Sequence, residues 1–155
     1  MKIEYINPFM QASQNVIQET TGLTPKLGKI YIKDTAYKGE SVVVLIGLTG
    51  AILGNVIISF KKALACKIAS IMMGGMSVVE LDEISKSAIA ELCNMILGNA
   101  ASIFYKNSIA VDITPPTVLT GDNMQFSLSK SVVVCIPLEF DKENSIDIDI
   151  TYKEN

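Results

Sequence analysis

The chain has 155 residues, of which 49% are hydrophobic and only 19% charged, with a formal net charge of −3. That length suits one domain whose core needs no disulfide or structural metal, and the scattered basic residues argue against nucleic-acid binding. The sequence contains no histidine, which excludes His-based catalysis and disfavours a transition-metal site.

Residues 5–20 have helical spacing, with Ile6, Phe9, Met10, Val16 and Ile17 as the apolar positions. Pro8 suits a first turn and Asn7 is a candidate cap. Gly22 and Pro25 end this helix. Residues 28–37 read as a strand and Lys38-Gly39 as a turn. Residues 42–60 carry no charge and imitate a membrane span. Gly47, Thr49, Gly50, Gly54 and Asn55 cut that run into two β-branched pieces, so a hairpin over 41–48 and 52–60 with a Thr-Gly turn is expected, and no membrane insertion.

A helix follows over 61–73, with Leu64, Ile68, Ile71 and Met72 inward, stopped by Gly74-Gly75. Residues 83–106 form one long helix, and the acids Glu80, Asp82 and Glu83 suit its N-terminal dipole. Thr114-Pro115-Pro116 must be extended. Residues 124–129 read as a short strand. Residues 131–140 read as a strand that Pro137 pushes to an edge or bulge. Residues 145–152 are an amphipathic strand in which Ile146, Ile148 and Ile150 alternate with acids. Three cysteines (Cys66, Cys93 and Cys135) lack metal-type spacing and fit free thiols in a reducing cytoplasm. No basic, then apolar, leader opens the chain, so no secretory signal is expected.

The two halves resemble each other. At an offset of 90, Leu23-Thr24-Pro25 matches Ile113-Thr114-Pro115, Ser41-Val42-Val43-Val44 matches Ser131-Val132-Val133-Val134, and Val56, Ile58, Phe60 match Ile146, Ile148, Ile150. The expectation is a single domain over 1–155 made of two related halves, about 5–60 and 83–152, linked by a helix at about 61–75.

Ser87, Glu91 and Asn94 stand four and then three residues apart on the long helix, so they share one face. Polar residues on a helix are usually just its solvated face. Here Ala88, Ile89, Ala90, Leu92, Cys93, Met95, Ile96 and Leu97 surround them, which makes a partner-facing stripe the sharper reading. No second acid pairs with Glu91, and Ser87 has no base in register, so neither a glycosidase nor a serine nucleophile fits. Positioning chemistry remains: an amide that holds a water and a carboxylate that docks on a cation. Asn7, Gln11 and Gln14 repeat the spacing on the first helix with the charge replaced by an amide. The alternative there is a cap at Asn7 and two solvent-facing glutamines.

Ser87-x3-Glu91-x2-Asn94, followed by Gly98-Asn99-Ala100-Ala101 and a downstream proline, resembles the CheC/CheX/FliY family of chemotaxis phosphatases. The single charged stripe and the length resemble its CheX branch most. Pro115 and Pro116 stand one or two residues nearer Asn94 than the family spacing. The resemblance implies an α+β, CheC-like fold, with a pseudo-duplicated helix and antiparallel three-stranded units forming one sheet packed by long helices. It implies hydrolysis of the phospho-aspartate of a CheY-type response regulator. Asn94 would orient the water, Glu91 would pair with the regulator's active-site lysine, and Ser87 would support them. It implies no cofactor of the chain's own, magnesium supplied by the regulator, a cytoplasmic setting and a homodimer. The competing readings are a non-catalytic adaptor docking on a receiver domain or flagellar motor component, and a structural dimerisation module.

Overall fold

The two β-branched runs flanking Thr49-Gly50 pair as an antiparallel hairpin, and the rest of the sheet builds outward from it. The structure is a computed structural model that describes residues 2–128 and 132–154. In chain order the elements are α1 (Ile3–Thr21), β1 (Lys26–Leu27), β2 (Tyr31–Lys33), β3 (Ala36–Gly50), β4 (Ile52–Lys61), α2 (Lys62–Met72), α3 (Glu83–Lys106), β5 (Val111–Ile113), β6 (Thr117–Gln125), β7 (Val133–Glu139) and β8 (Ser145–Glu154). The strands form one antiparallel sheet in the order β1-β7-β8-β4-β3-β5, with β2 also on β7 and β6 also on β3.

That order is palindromic about the β4–β8 pair. Val56 faces Ile150, Ile58 faces Ile148 and Phe60 faces Ile146. The two alternating triplets are therefore cross-strand partners at the centre of the sheet, where such pairs contribute most to its stability. The halves exchange their first strands: β5 and β6 join β3, while β1 and β2 join β7.

Period-two alternation sends Val42, Val44, Ile46, Leu48, Val56, Ile58 and Phe60 into the main core beneath the three helices. Phe9 of α1 and Phe104 of α3 meet edge to face at 5.3 Å in that core. The opposite face of the sheet buries a smaller cluster of Tyr37, Val43 and Ile57 under Leu119, Met124, Phe126 and Leu128. By length and composition α3 could cross a bilayer. Here Ile89, Leu92, Cys93, Ile96, Leu97 and Phe104 are instead buried in the core.

Several sequence expectations are corrected. Helix α1 starts at Ile3, so Asn7 lies in its second turn and is not its N-cap; Lys2 occupies that position, and its side chain makes no capping hydrogen bond. The expected strand over 28–37 is divided: Tyr31–Lys33 form β2 on β7, whereas Ala36 and Tyr37 begin β3, and a gap separates β2 from β1 upstream. β1 ends where Leu27 faces Leu138, and β2 begins where Tyr31 faces Cys135. Pro137 lies opposite the gap and lacks an N–H; its carbonyl accepts from the Gly28 N–H at 2.8 Å. Lys38-Gly39 is a bulge within β3, not a turn: the register shifts between Tyr37 and Glu40, and Gly39 takes φ +74°. The strand expected at 124–129 lies earlier, as β6, and its expected end at Ser129 falls outside the described residues, as does Ser131 of the repeat.

The repeat also shifts register. Ile113 faces Leu48 on β3, and at the matching place on β7 Leu138 is faced by Leu27. With β3 set on β7, the backbone equivalent of Ile113-Thr114 is Leu27-Gly28, not Leu23-Thr24. Finally, Asp149 is 1% exposed rather than solvated, because the second cluster covers that face.

Candidate active site

The long helix begins where it does because Asp82 and Ser85 cap each other. The Ser85 N–H donates to Asp82 Oδ1 at 2.9 Å, and the Asp82 N–H donates to Ser85 Oγ at 2.8 Å. This capping box satisfies two of the helix's orphan donors. First the backbone and then the hydroxyl of Ser85 hold the Asp82 carboxyl below its ordinary range. Upstream, Gly74 and Gly75 take φ +75° and +91°, which releases the chain from α2.

With the apolar face of α3 committed to the core, the polar stripe is turned outward. Ser87 and Glu91 are exposed and Asn94 is half-buried. All three line one open groove of about 530 Å³, with Ala90 between them. The opposite wall is Ile113, Thr114, Pro115 and Pro116. Among the described residues, the side chains of Ser87, Glu91 and Asn94 form no hydrogen bond or ion pair. The sequence-derived stripe is therefore brought together on one wall of a groove. Asn7 and Gln11 are exposed and Gln14 half-buried on α1, but none of the three lines this groove.

The groove-lining residues limit the chemistry. Glu91 is the only carboxylate among them, so they do not fit a divalent cation of their own, which takes about six oxygen donors. Ser87 has no basic neighbour in the groove, and Lys86 is turned to Glu83 at 3.8 Å. The three cysteines are buried and free. Burial pushes the thiols of Cys66, Cys93 and Cys135 up, away from nucleophilic thiolates. What the groove offers is an open amide and an open carboxylate about one helical turn apart. A second cleft of about 280 Å³ lies among Glu40, Lys62, Glu80, Lys86 and Asp122. Its Lys62 is already paired with Glu80 at 2.8 Å and Glu40 at 3.4 Å.

Sequence reasoning found the stripe, and read the prolines as a break and as the downstream proline of the family motif. It did not find that 113–116 form the facing wall, because that contact spans two separate elements.

Residues 42–139 match the family model of the chemotaxis phosphatase CheX. A curated relative, the CheY-P phosphatase CheX of Thermotoga maritima, is 35% identical over 153 residues, covering 99% of this chain and 98% of its own. The chain belongs to the CheX family. Among solved structures, the CheC-like superfamily protein of Shewanella sp. PV-4 has a TM-score of 0.87 to this CheX-family chain at 27% identity, covering 99% of each. CheX in the CheX–CheY–BeF3–Mg complex of Borrelia burgdorferi has a TM-score of 0.80 at 28% identity, covering 99% of this chain and 100% of that one. The expected α+β, CheC-like architecture is the one observed.

Proposed function

We propose that this chain is a phosphatase of a CheY-type response regulator, hydrolysing its phospho-aspartate to aspartate and inorganic phosphate. The observation that carries this reading is the shared, open placement of Glu91 and Asn94 on one wall of the groove, in a chain of the CheX family. The Asn94 amide accepts and donates at once, so it holds a water in line with the phosphorus. The Glu91 carboxylate pairs with a lysine of the regulator and fixes the docked helix. Ser87 supports them from the preceding turn. The oxygen of water attacks phosphorus, the acyl phosphate bond breaks, and no phosphorylated form of this chain arises.

Magnesium is assigned to the regulator, because the groove has one carboxylate only; the CheX–CheY–BeF3–Mg complex supports that division. The free thiols fit a cytoplasmic setting. The same reading treats residues 1–155 as one domain of two related halves, which the palindromic strand order supports. It further takes the chain as a homodimer joined through its sheet: β6 pairs with β3 on one side only among the described residues.

The test follows the decay of a phosphorylated CheY-type protein with and without the chain. Accelerated decay that Asn94→Ala abolishes supports the reading. Binding without accelerated decay would leave the adaptor function instead.

A further inference from the structure

The groove wall facing Asn94 is held by a contact that the other half of the molecule lacks. Along β3, Leu48 faces Ile113 of β5 and Leu45 faces Thr117 of β6. Three residues, Thr114, Pro115 and Pro116, therefore lie opposite two, Ile46 and Gly47. This is a bulge, and two successive prolines in it donate no backbone bond. One residue ties it down. The Thr114 N–H donates to the Gly47 carbonyl at 3.0 Å, and the Gly47 N–H donates to Thr114 Oγ1 at 2.7 Å. The approach is tight: a Cβ on Gly47 would lie 3.0 Å from Thr114 Cγ2, so the threonine would have to shift by a few tenths of an ångström to admit it.

The equivalent pair across the palindrome is Gly28 and Pro137. The backbone bond is kept there, from the Gly28 N–H to the Pro137 carbonyl at 2.8 Å. The second bond is impossible, since proline has no N–H and glycine no hydroxyl. The double tie is present only beside the stripe that carries the carboxylate.

We propose that Thr114 is a positioning residue for the phosphatase reaction. Its hydroxyl, locked on Gly47, sets the distance of the Pro115-Pro116 wall from Glu91 and Asn94 and so the fit of the regulator's loops in the groove. This rests on the phosphatase reading above. In this proposal the wall meets the partner rather than the reacting water, so the lock should act on substrate binding and leave the chemical step alone.

The experiment measures initial rates of phospho-regulator decay over a range of phospho-regulator concentrations, using the full chain. Thr114→Val removes the acceptor and keeps the shape. It should raise KM roughly 2- to 10-fold, the range of one net hydrogen bond, with kcat within about twofold of wild type. Gly47→Ala should shift KM the same way by pushing Thr114 outward. Thr114→Ser should restore KM, and the amide of Gly47 should exchange faster in Thr114→Val than in Thr114→Ser. An active wild type with an unmoved KM in Thr114→Val overturns the positioning role alone. So does a Thr114→Ser variant that behaves like Thr114→Val. A wild type that accelerates no decay overturns the phosphatase reading, and the positioning role with it.

Discussion

Tyr37 donates its hydroxyl to Asp149 Oδ2 at 2.6 Å, within the face of the sheet that carries no helix. Lys33 reaches the same oxygen at 3.2 Å, and its ammonium lies 4.6 Å from the centre of the Tyr37 ring. The Asp149 side chain is fully buried. Asp149→Ala would leave a lysine and a phenol facing an empty position. The expected loss is about 3–5 kcal/mol, as for a broken buried pair, read by urea unfolding. A loss below about 1 kcal/mol would mean that the cluster behaves like a solvated surface pair.

Burial, and then the Asp149 charge, hold the Tyr37 phenol well above its ordinary value. A raised folded-state pKa favours the neutral form. The stabilisation is therefore complete below about pH 10 and falls as pH climbs beyond it. The stability difference between wild type and Tyr37→Phe should shrink in alkaline unfolding experiments. A constant difference across that range would show that Tyr37 is not the group that titrates.

Asn94→Ala should lower the acceleration of regulator dephosphorylation on the order of 10²-fold or more, as for a lost positioning group. Because the Asn94 side chain makes no hydrogen bond or ion pair among the described residues, the melting temperature of Asn94→Ala should be nearly that of wild type. Glu91→Gln should weaken association with the regulator, most visibly at low ionic strength where charge pairing is least screened. Equal loss at all salt concentrations would count against an ion pair at Glu91.

The Asp82–Ser85 box gives a prediction of opposite sign. The Asp82 carboxyl is held below its usual range by the Ser85 N–H and hydroxyl, so its contribution is present above the ordinary carboxylate pKa and is lost as pH falls through the lowered one. Asp82→Ala should lower thermal stability at neutral pH, and the gap from wild type should close under strongly acidic conditions. A gap that persists in acid would assign the effect to packing rather than to the charge.

Phe104 is fully buried and carries the edge-to-face contact with Phe9 that joins α3 to α1. Phe104→Ala should cost about 3–5 kcal/mol, measured by chemical denaturation. A small loss would show that α1 can collapse into the vacated space.

The sequence by itself determined the long helix to its end residues, the β3–β4 hairpin and the stripe of Ser87, Glu91 and Asn94. These follow from local periodicity, the apolar surround and glycine punctuation, all of which act within a few turns or a single hairpin. The same local logic misplaced Asn7 as a cap and Lys38-Gly39 as a turn. Pro8 needs only to lie near a helix start, and a glycine of positive φ serves a bulge as well as a turn. Tertiary structure alone decided three further things. The pairing of β4 with β8 put Ile58 opposite Ile148, and the exchange of first strands between the halves put Gly28 rather than Thr24 in the place of Thr114. The covering of the second sheet face turned Asp149 from a surface acid into a buried one. The bulge at Thr114–Pro116 brought a second wall up to the helix stripe. Each depends on contacts between residues far apart in the chain, where pairing register and burial, rather than local propensity, set the outcome.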